Sequence, residues 1–222
     1  MLHVTRSLCT ILIGVWLVLF TANEARADTV FFSNFGPGMT FNTNTGYNIN
    51  GNNMFGTQIP SVGFTPTESF TLSSAVLGVG NVDGPNILQV LLMTSSGGLP
   101  GSVIETMTLT GLPQFGSGGI VVANSALNPV LTAGTQYWLV AFPVEPNTFM
   151  AWNFSLNDFS TPALFSFSNL TGPWFPLSPL QVRPVFQING EPVPEPATML
   201  LLGTGLATLV AAVRKGRKRS EG

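Results

Sequence analysis

Between residues 28 and 192, Gly, Pro, Asn, Ser and Thr interrupt the chain roughly every 8–15 residues, and the stretches between them are rich in Val, Ile, Leu, Phe and Thr. Runs this short leave no room for a long amphipathic helix, whereas β-branched and aromatic residues bounded by turn formers read as strands. The pattern predicts an all-β, antiparallel domain of about ten strands, at residues 30–33, 61–64, 69–79, 86–94, 103–110, 119–123, 136–142, 149–154, 163–167 and 182–188. That number suits a β-sandwich or jelly-roll-like domain.

Local chemistry refines this expectation. Asp83-Gly84-Pro85-Asn86 and the stretch from Ser95 to Gly101 combine residues that tolerate positive φ with proline, so each marks a reversal. Together they predict a three-strand meander. Tyr137, Leu139 and Ala141 alternate with Trp138, Val140 and Phe142, making both faces of that strand apolar and placing it centrally, covered on both sides. Residues 35–56, with many Asn and Gly and few consecutive apolar residues, read as an exposed loop. Residues 191–196 read as a short, stiff proline spacer.

Both ends of the chain carry apolar runs. Arg6, an apolar stretch of about 13 residues from Leu8 to Phe20, and the small-x-small sequence Ala25-Arg26-Ala27 have the form of a secretory signal peptide over residues 1–27, cut before Asp28. A retained first membrane helix would need a longer apolar stretch. Near the other end, Pro194-Glu195-Pro196 precedes a run without charge at about residues 197–213, followed by Arg214, Lys215, Arg217, Lys218 and Arg219. As helix, about 17 residues span about 25 Å, enough for a slightly thinned bilayer. The basic cluster then holds the C-terminus in the cytoplasm. A buried core helix is the alternative, but the run has no polar face. The expected organisation is therefore a signal peptide at 1–27, an extracytoplasmic β-sandwich domain at 28–190 and a sorting and membrane segment at 191–222.

Removing residues 1–27 takes away His3 and Cys9, the chain's single His and single Cys. Between Asp28 and Pro192 the only cation is Arg183, and it faces seven acids, Asp28, Glu68, Asp83, Glu105, Glu145, Asp158 and Glu191, for a net charge of −6. Such a surface repels phosphate backbones, so no nucleic-acid partner is expected. Without His, Cys or Lys, the Ser-His-Asp, Cys-His and Ser-Lys forms of nucleophilic catalysis are excluded, as are zinc and copper sites built on imidazole or thiolate. No phosphate-binding or dinucleotide fingerprint occurs. No cofactor and no metal are expected, and no catalytic residue is assigned.

Chemistries that need only oxygen remain open. Glycoside hydrolysis requires two carboxylates about 5–9.5 Å apart, which Glu68, Asp83, Glu105, Glu145 and Asp158 offer in principle; the plainer reading is that they solubilise edges and loops. Glu105 stands out because it shares a strand face with Val103 and Met107. Asp83, with Asn81 and Asn86, offers hard oxygen ligands around a turn, but without the carboxylate density of a calcium loop. Trp174, inside Pro173-Trp174-Phe175-Pro176, is placed in a loop as a possible carbohydrate contact or as a plug for the end of the sandwich, whereas Trp138 and Trp152 belong to strands and the core. Asn153 and Asn169 stand in glycosylation-acceptor triplets.

The segment from Val193 onward resembles the PEP-CTERM sorting signal: Pro194-Glu195-Pro196, a short apolar helix containing Gly205-Leu206, then the Arg/Lys cluster. The resemblance implies export by a bacterium that makes exopolysaccharide, processing by an exosortase at the inner membrane, and a destination in the envelope, at the surface or in the extracellular matrix. The middle is similar to the choice-of-anchor R family at four places, residues 32–38, 92–101, 131–140 and 151–153. That family brings no catalytic motif. The expectation is a noncatalytic surface or extracellular-matrix protein, a single-pass membrane protein before processing, associated with exopolysaccharide or biofilm. A carbohydrate-binding module and a carboxylate-dependent glycosidase stay open as alternatives.

Overall fold

The computed structural model describes residues 28–193 and 203–205. The expected signal peptide with its expected cleavage residues Ala25 and Ala27, the Pro194-Glu195-Pro196 motif, the basic cluster and most of the expected membrane helix lie outside the described residues. Residues 203–205 are helical. Among the described residues no helix is long and apolar enough to cross a membrane.

Among the described residues, fourteen strands form three sheets. The largest has the order β13 (Trp174–Pro176), β12 (Ala163–Ser166), β3 (Ile59–Phe64), β10 (Tyr137–Pro143), β6 (Ile87–Ser96) and β7 (Leu99–Thr110). A second runs β1 (Thr29–Ser33), β14 (Phe186–Pro192), β4 (Phe70–Leu77) and β8 (Val121–Asn124), with β9 (Val130–Leu131) also on β4. The third is β2 (Asn42–Asn50), β11 (Phe149–Phe154) and β5 (Val79–Asp83). All these strand pairs are antiparallel.

One hydrophobic core joins the three sheets. Val62, Leu92 and Leu139 of the six-stranded sheet meet Phe70, Phe186 and Ile188 of the second sheet and Ile49, Met150 and Trp152 of the third. The second and third sheets abut, because Asn153 N–H donates to Gly78 O at 2.8 Å and Val185 N–H to Asn153 O at 2.9 Å. Two layers face one another across this core, the arrangement of a β-sandwich. The expected central strand is there: β10 lies between β3 and β6, with Tyr137, Leu139 and Ala141 in the main core. Trp138 and Val140 enter a second cluster with Ile59, Leu91, Met93 and Leu164 on the sheet's other face.

Four local expectations are corrected. Residues 69–79 are two strands rather than one, because the chain passes from one sheet to the other at Gly78, where a Cβ would come within 2.7 Å of Val185 Cγ1 and 2.9 Å of the Phe41 ring. For the same reason β5 and β6 occupy different sheets, and the expected meander reduces to the β6–β7 hairpin. Residues 35–56 are not all loop: β2 pairs along β11. Its Asn- and Thr-rich sequence hides a strand because it is a sheet edge, with Tyr47 and Ile49 supplying its core contacts. The last strand sits at 186–192 rather than 182–188, so Glu191 and Pro192 belong to β14 and not to a spacer.

Gly78→Ala is expected to destabilise the domain by about 1–3 kcal/mol, since neither a branched valine nor a packed ring yields easily. Urea unfolding followed by tryptophan fluorescence checks this, and an unchanged midpoint would show that the corner is not tight.

Candidate functional site

The chain leaves the sandwich along β14, a strand paired on both sides. Toward β1, Gly190 stands opposite Thr29 and Asn189 opposite Val30; toward β4, Glu191 stands opposite Thr71 and Pro192 opposite Phe70. Val193 N–H donates to Ser69 O at 3.2 Å. Gly190 permits this closeness, because a Cβ there would fall 2.4 Å from both the Phe70 ring and Thr71 O. The two ends of the domain thus leave from one place, Thr29 being the neighbour of Gly190. Asp28, Glu68 and Glu191 are all exposed there, which gives the exit an acidic rim.

The opposite end of β14 is tied down by side chains. Asn34 accepts a hydrogen bond on Oδ1 from Phe186 N–H at 2.7 Å, and its amide donates to Pro184 O at 2.9 Å and Asp158 Oδ2 at 2.8 Å. Asp158 Oδ1 accepts from the N–H groups of Ser160 and Thr161. Burial by itself would raise the Asp158 pKa, but the hydrogen bonds from Thr161, Asn34 and Ser160 outweigh it and hold the carboxyl below the ordinary aspartate range.

Several residues singled out by sequence have their polar atoms engaged in the fold. Glu105 is 3 % exposed and accepts from Ser125 Oγ, Ala126 N–H and Leu127 N–H at 2.6, 2.6 and 2.9 Å, so its carboxylate fastens the turn after β8 to β7. Asn86, considered as an oxygen ligand, uses both ends of its amide on the backbone of Leu112. Asp83 and Glu145 are exposed. No group of three or more acidic, His or Cys side chains able to hold a metal occurs among the described residues.

Asn153 is buried, donating to the carbonyls of Asn42 and Thr43 at 3.0 Å, and is thereby closed to glycosylation, whereas Asn169 is exposed and shapes its own turn. Trp138 and Trp152 are buried, the latter donating to Val185 O at 2.7 Å. Trp174 lies in β13 rather than in a loop and is half-buried against the second apolar cluster. Its indole N–H is enclosed without a partner among the described residues.

The exit of β14 is where the comparison with known proteins falls. Residues 192–218 match the PEP-CTERM protein-sorting motif. The motif supports sorting by an exosortase, its processing partner, to the cell envelope or surface. It begins at Pro192, still paired in the sheet, so the PEP-CTERM segment and the folded domain share a boundary without a linker. Among curated proteins none matches the chain.

Because the Asp158 pKa is depressed in the folded state, its stabilisation is complete above the unfolded aspartate value of about 4 and is lost as pH falls through the lower folded value. Asp158→Asn is expected to lower the urea midpoint at pH 7 and to flatten its decline as pH falls below about 4. Glu105→Ala should cost about 2–4 kcal/mol at pH 7, with three donors around the turn left unpaired.

Proposed function

We propose that this chain is a noncatalytic surface or matrix protein, exported through residues 1–27 and held in the inner membrane by residues 197–213 until an exosortase acts on the tail. After processing it is deposited at the surface or in the extracellular matrix, in association with exopolysaccharide. The carrying observation is the PEP-CTERM match placed directly at the end of β14. Pro194, Glu195 and Pro196 are the sorting motif, and Arg214, Lys215, Arg217, Lys218 and Arg219 fix the cytoplasmic end.

The domain's composition supports the noncatalytic part. It contains no His, Cys or Lys, and two of its five candidate catalytic acids, Glu105 and Asp158, are engaged in holding turns. The sequence resemblance of residues 32–38, 92–101, 131–140 and 151–153 to the choice-of-anchor R family would fit a surface domain without reaction chemistry.

The geometry also favours one orientation on the membrane. A cut before Asp28 would leave the new N-terminus beside the strand that enters the tail, so both processing events concern the same end of the sandwich. From Val193 to the start of the apolar run there are only the three residues Pro194, Glu195 and Pro196, about 10 Å of extended chain. The acidic rim therefore faces the bilayer closely.

Deleting residues 194–222 should leave the unfolding midpoint unchanged and move the protein from the envelope to the soluble exported fraction or the medium; an unchanged distribution would refute the sorting role. Inserting six Gly/Ser residues after Val193 should raise the rate of tail processing in a pulse-chase measurement, because the exosortase then reaches its motif without unpairing Pro192 and Val193. An equal rate would show that the rim does not obstruct the enzyme.

A further inference from the structure

Away from the exit, aromatic rings gather where the two layers gape at their edges. β2 is the edge of the three-stranded sheet and β13 the edge of the six-stranded one. A shallow cavity of about 320 Å³ opens beside both, at the small end of the range of about 300–1,000 Å³ usual for ligand pockets. Tyr47 and Phe165 line it with ring centroids 4.9 Å apart, and Phe165 stacks on Phe167 at 6.2 Å. Phe167 meets Phe175 at 5.8 Å.

Phe167 and Phe175 are 56 % and 48 % exposed, neighbouring rings that the core does not use. Contiguous exposed apolar surface rimmed by polar groups marks a binding site. The polar groups are amides. Gln58 and Gln181 line the same cavity, and Gln181 accepts on Oε1 from Ser178 N–H at 3.0 Å. No charged side chain lines the space. Tyr47 is held in place by donating to Val182 O at 2.9 Å, and burial, opposed by the Arg183 charge, pushes its phenol up to about 12, so this wall stays neutral too.

A ligand for this cavity must offer a flat apolar face to the rings and hydroxyls or amides to Gln58 and Gln181. A purely apolar ligand would leave both amides unpaired. An anion would meet no cation in the cavity of a domain whose net charge is −6. We propose that the cavity binds one neutral sugar ring of a polysaccharide, its C–H face on Phe167 and Phe175 and its hydroxyls on Gln58 and Gln181. The proposal deepens the surface-protein reading and rests on it for the source of the sugar. It also moves the carbohydrate contact from Trp174 to Phe175, since adjacent strand residues face opposite ways and Trp174 is packed on the other side of the sheet.

The test uses the full chain in detergent micelles, with saturation-transfer NMR and titration against neutral gluco-, galacto- and manno-oligosaccharides and, separately, uronic-acid oligosaccharides. The wild type is expected to bind at least one neutral oligosaccharide in preference to the uronates. The double variant Phe167→Ala/Phe175→Ala should weaken binding by about tenfold or more, and Gln181→Ala by a few-fold. Trp174→Phe should leave it unchanged. Should the alanines lower the unfolding midpoint, Phe167→Leu/Phe175→Leu keeps the apolar volume while removing the flat faces, and the same loss is expected.

No binding of any neutral sugar, a preference for uronates, or equal affinity in the double variant overturns the cavity proposal. Envelope localisation is read in parallel: normal sorting without sugar binding defeats the cavity alone. Sugar binding that depends on Phe167 and Phe175, in a protein whose distribution ignores its tail, defeats the sorting reading alone.

Discussion

The pairing of β14 between β1 and β4 is the contact on which the rest of the molecule depends. It joins the last residues before the sorting segment to the first residues after the expected signal cleavage, and no disulfide is available to do so. Backbone hydrogen bonds and burial of Phe186 and Ile188 must close the sheet instead. Asn34 reinforces the other end of the strand by accepting from Phe186 N–H, and Asp158 in turn holds the Asn34 amide. Any tension transmitted through the tail is received by a strand that is double-paired and pinned at its far end.

The same dependence explains where polar groups have been admitted to the interior. Glu105 and Asn153 are both buried, Glu105 accepting from Ser125 Oγ and two backbone N–H groups and Asn153 donating to backbone carbonyls, and each ties together segments distant in sequence. Glu105 keeps the turn after β8 on the long edge strand β7. Asn153 gathers the carbonyls at the start of β2, beside the bulge where β11 changes register. Removing either partner would leave several groups unpaired out of water, so both residues hold the fold together.

Sequence was most informative where one signal dominated. The doubly apolar alternation of residues 137–142 placed β10 in the centre, and the Gly-rich turn before Pro100 marked the β6–β7 hairpin. It failed where two effects opposed one another. β2 is concealed because an edge strand needs few inward residues, and its Gly46 reads as a loop signal although it is required by the approach of Trp152 O, 2.5 Å from where a Cβ would stand. Gly78 hides a change of sheet inside a continuous apolar run. The sorting tail was legible because proline, apolar length and basic charge follow one another in a fixed order. The aromatic cavity was not, since Tyr47, Phe165 and Phe175 come from three separate strands, with Phe167 just beyond the end of β12, and they meet only through the fold.

The position of β14 also sets the order of events during export. Strand pairs far apart in sequence form late because their loop entropy must be overcome first, and β1 cannot find its partner until residues 186–192 have crossed the membrane. On the proposed topology the apolar run follows immediately, so the sandwich closes only when the tail is already entering the bilayer. A domain whose final strand preceded a long linker would fold free of the membrane. On that topology folding and membrane entry are adjacent in the chain, and the acidic rim would form beside the bilayer.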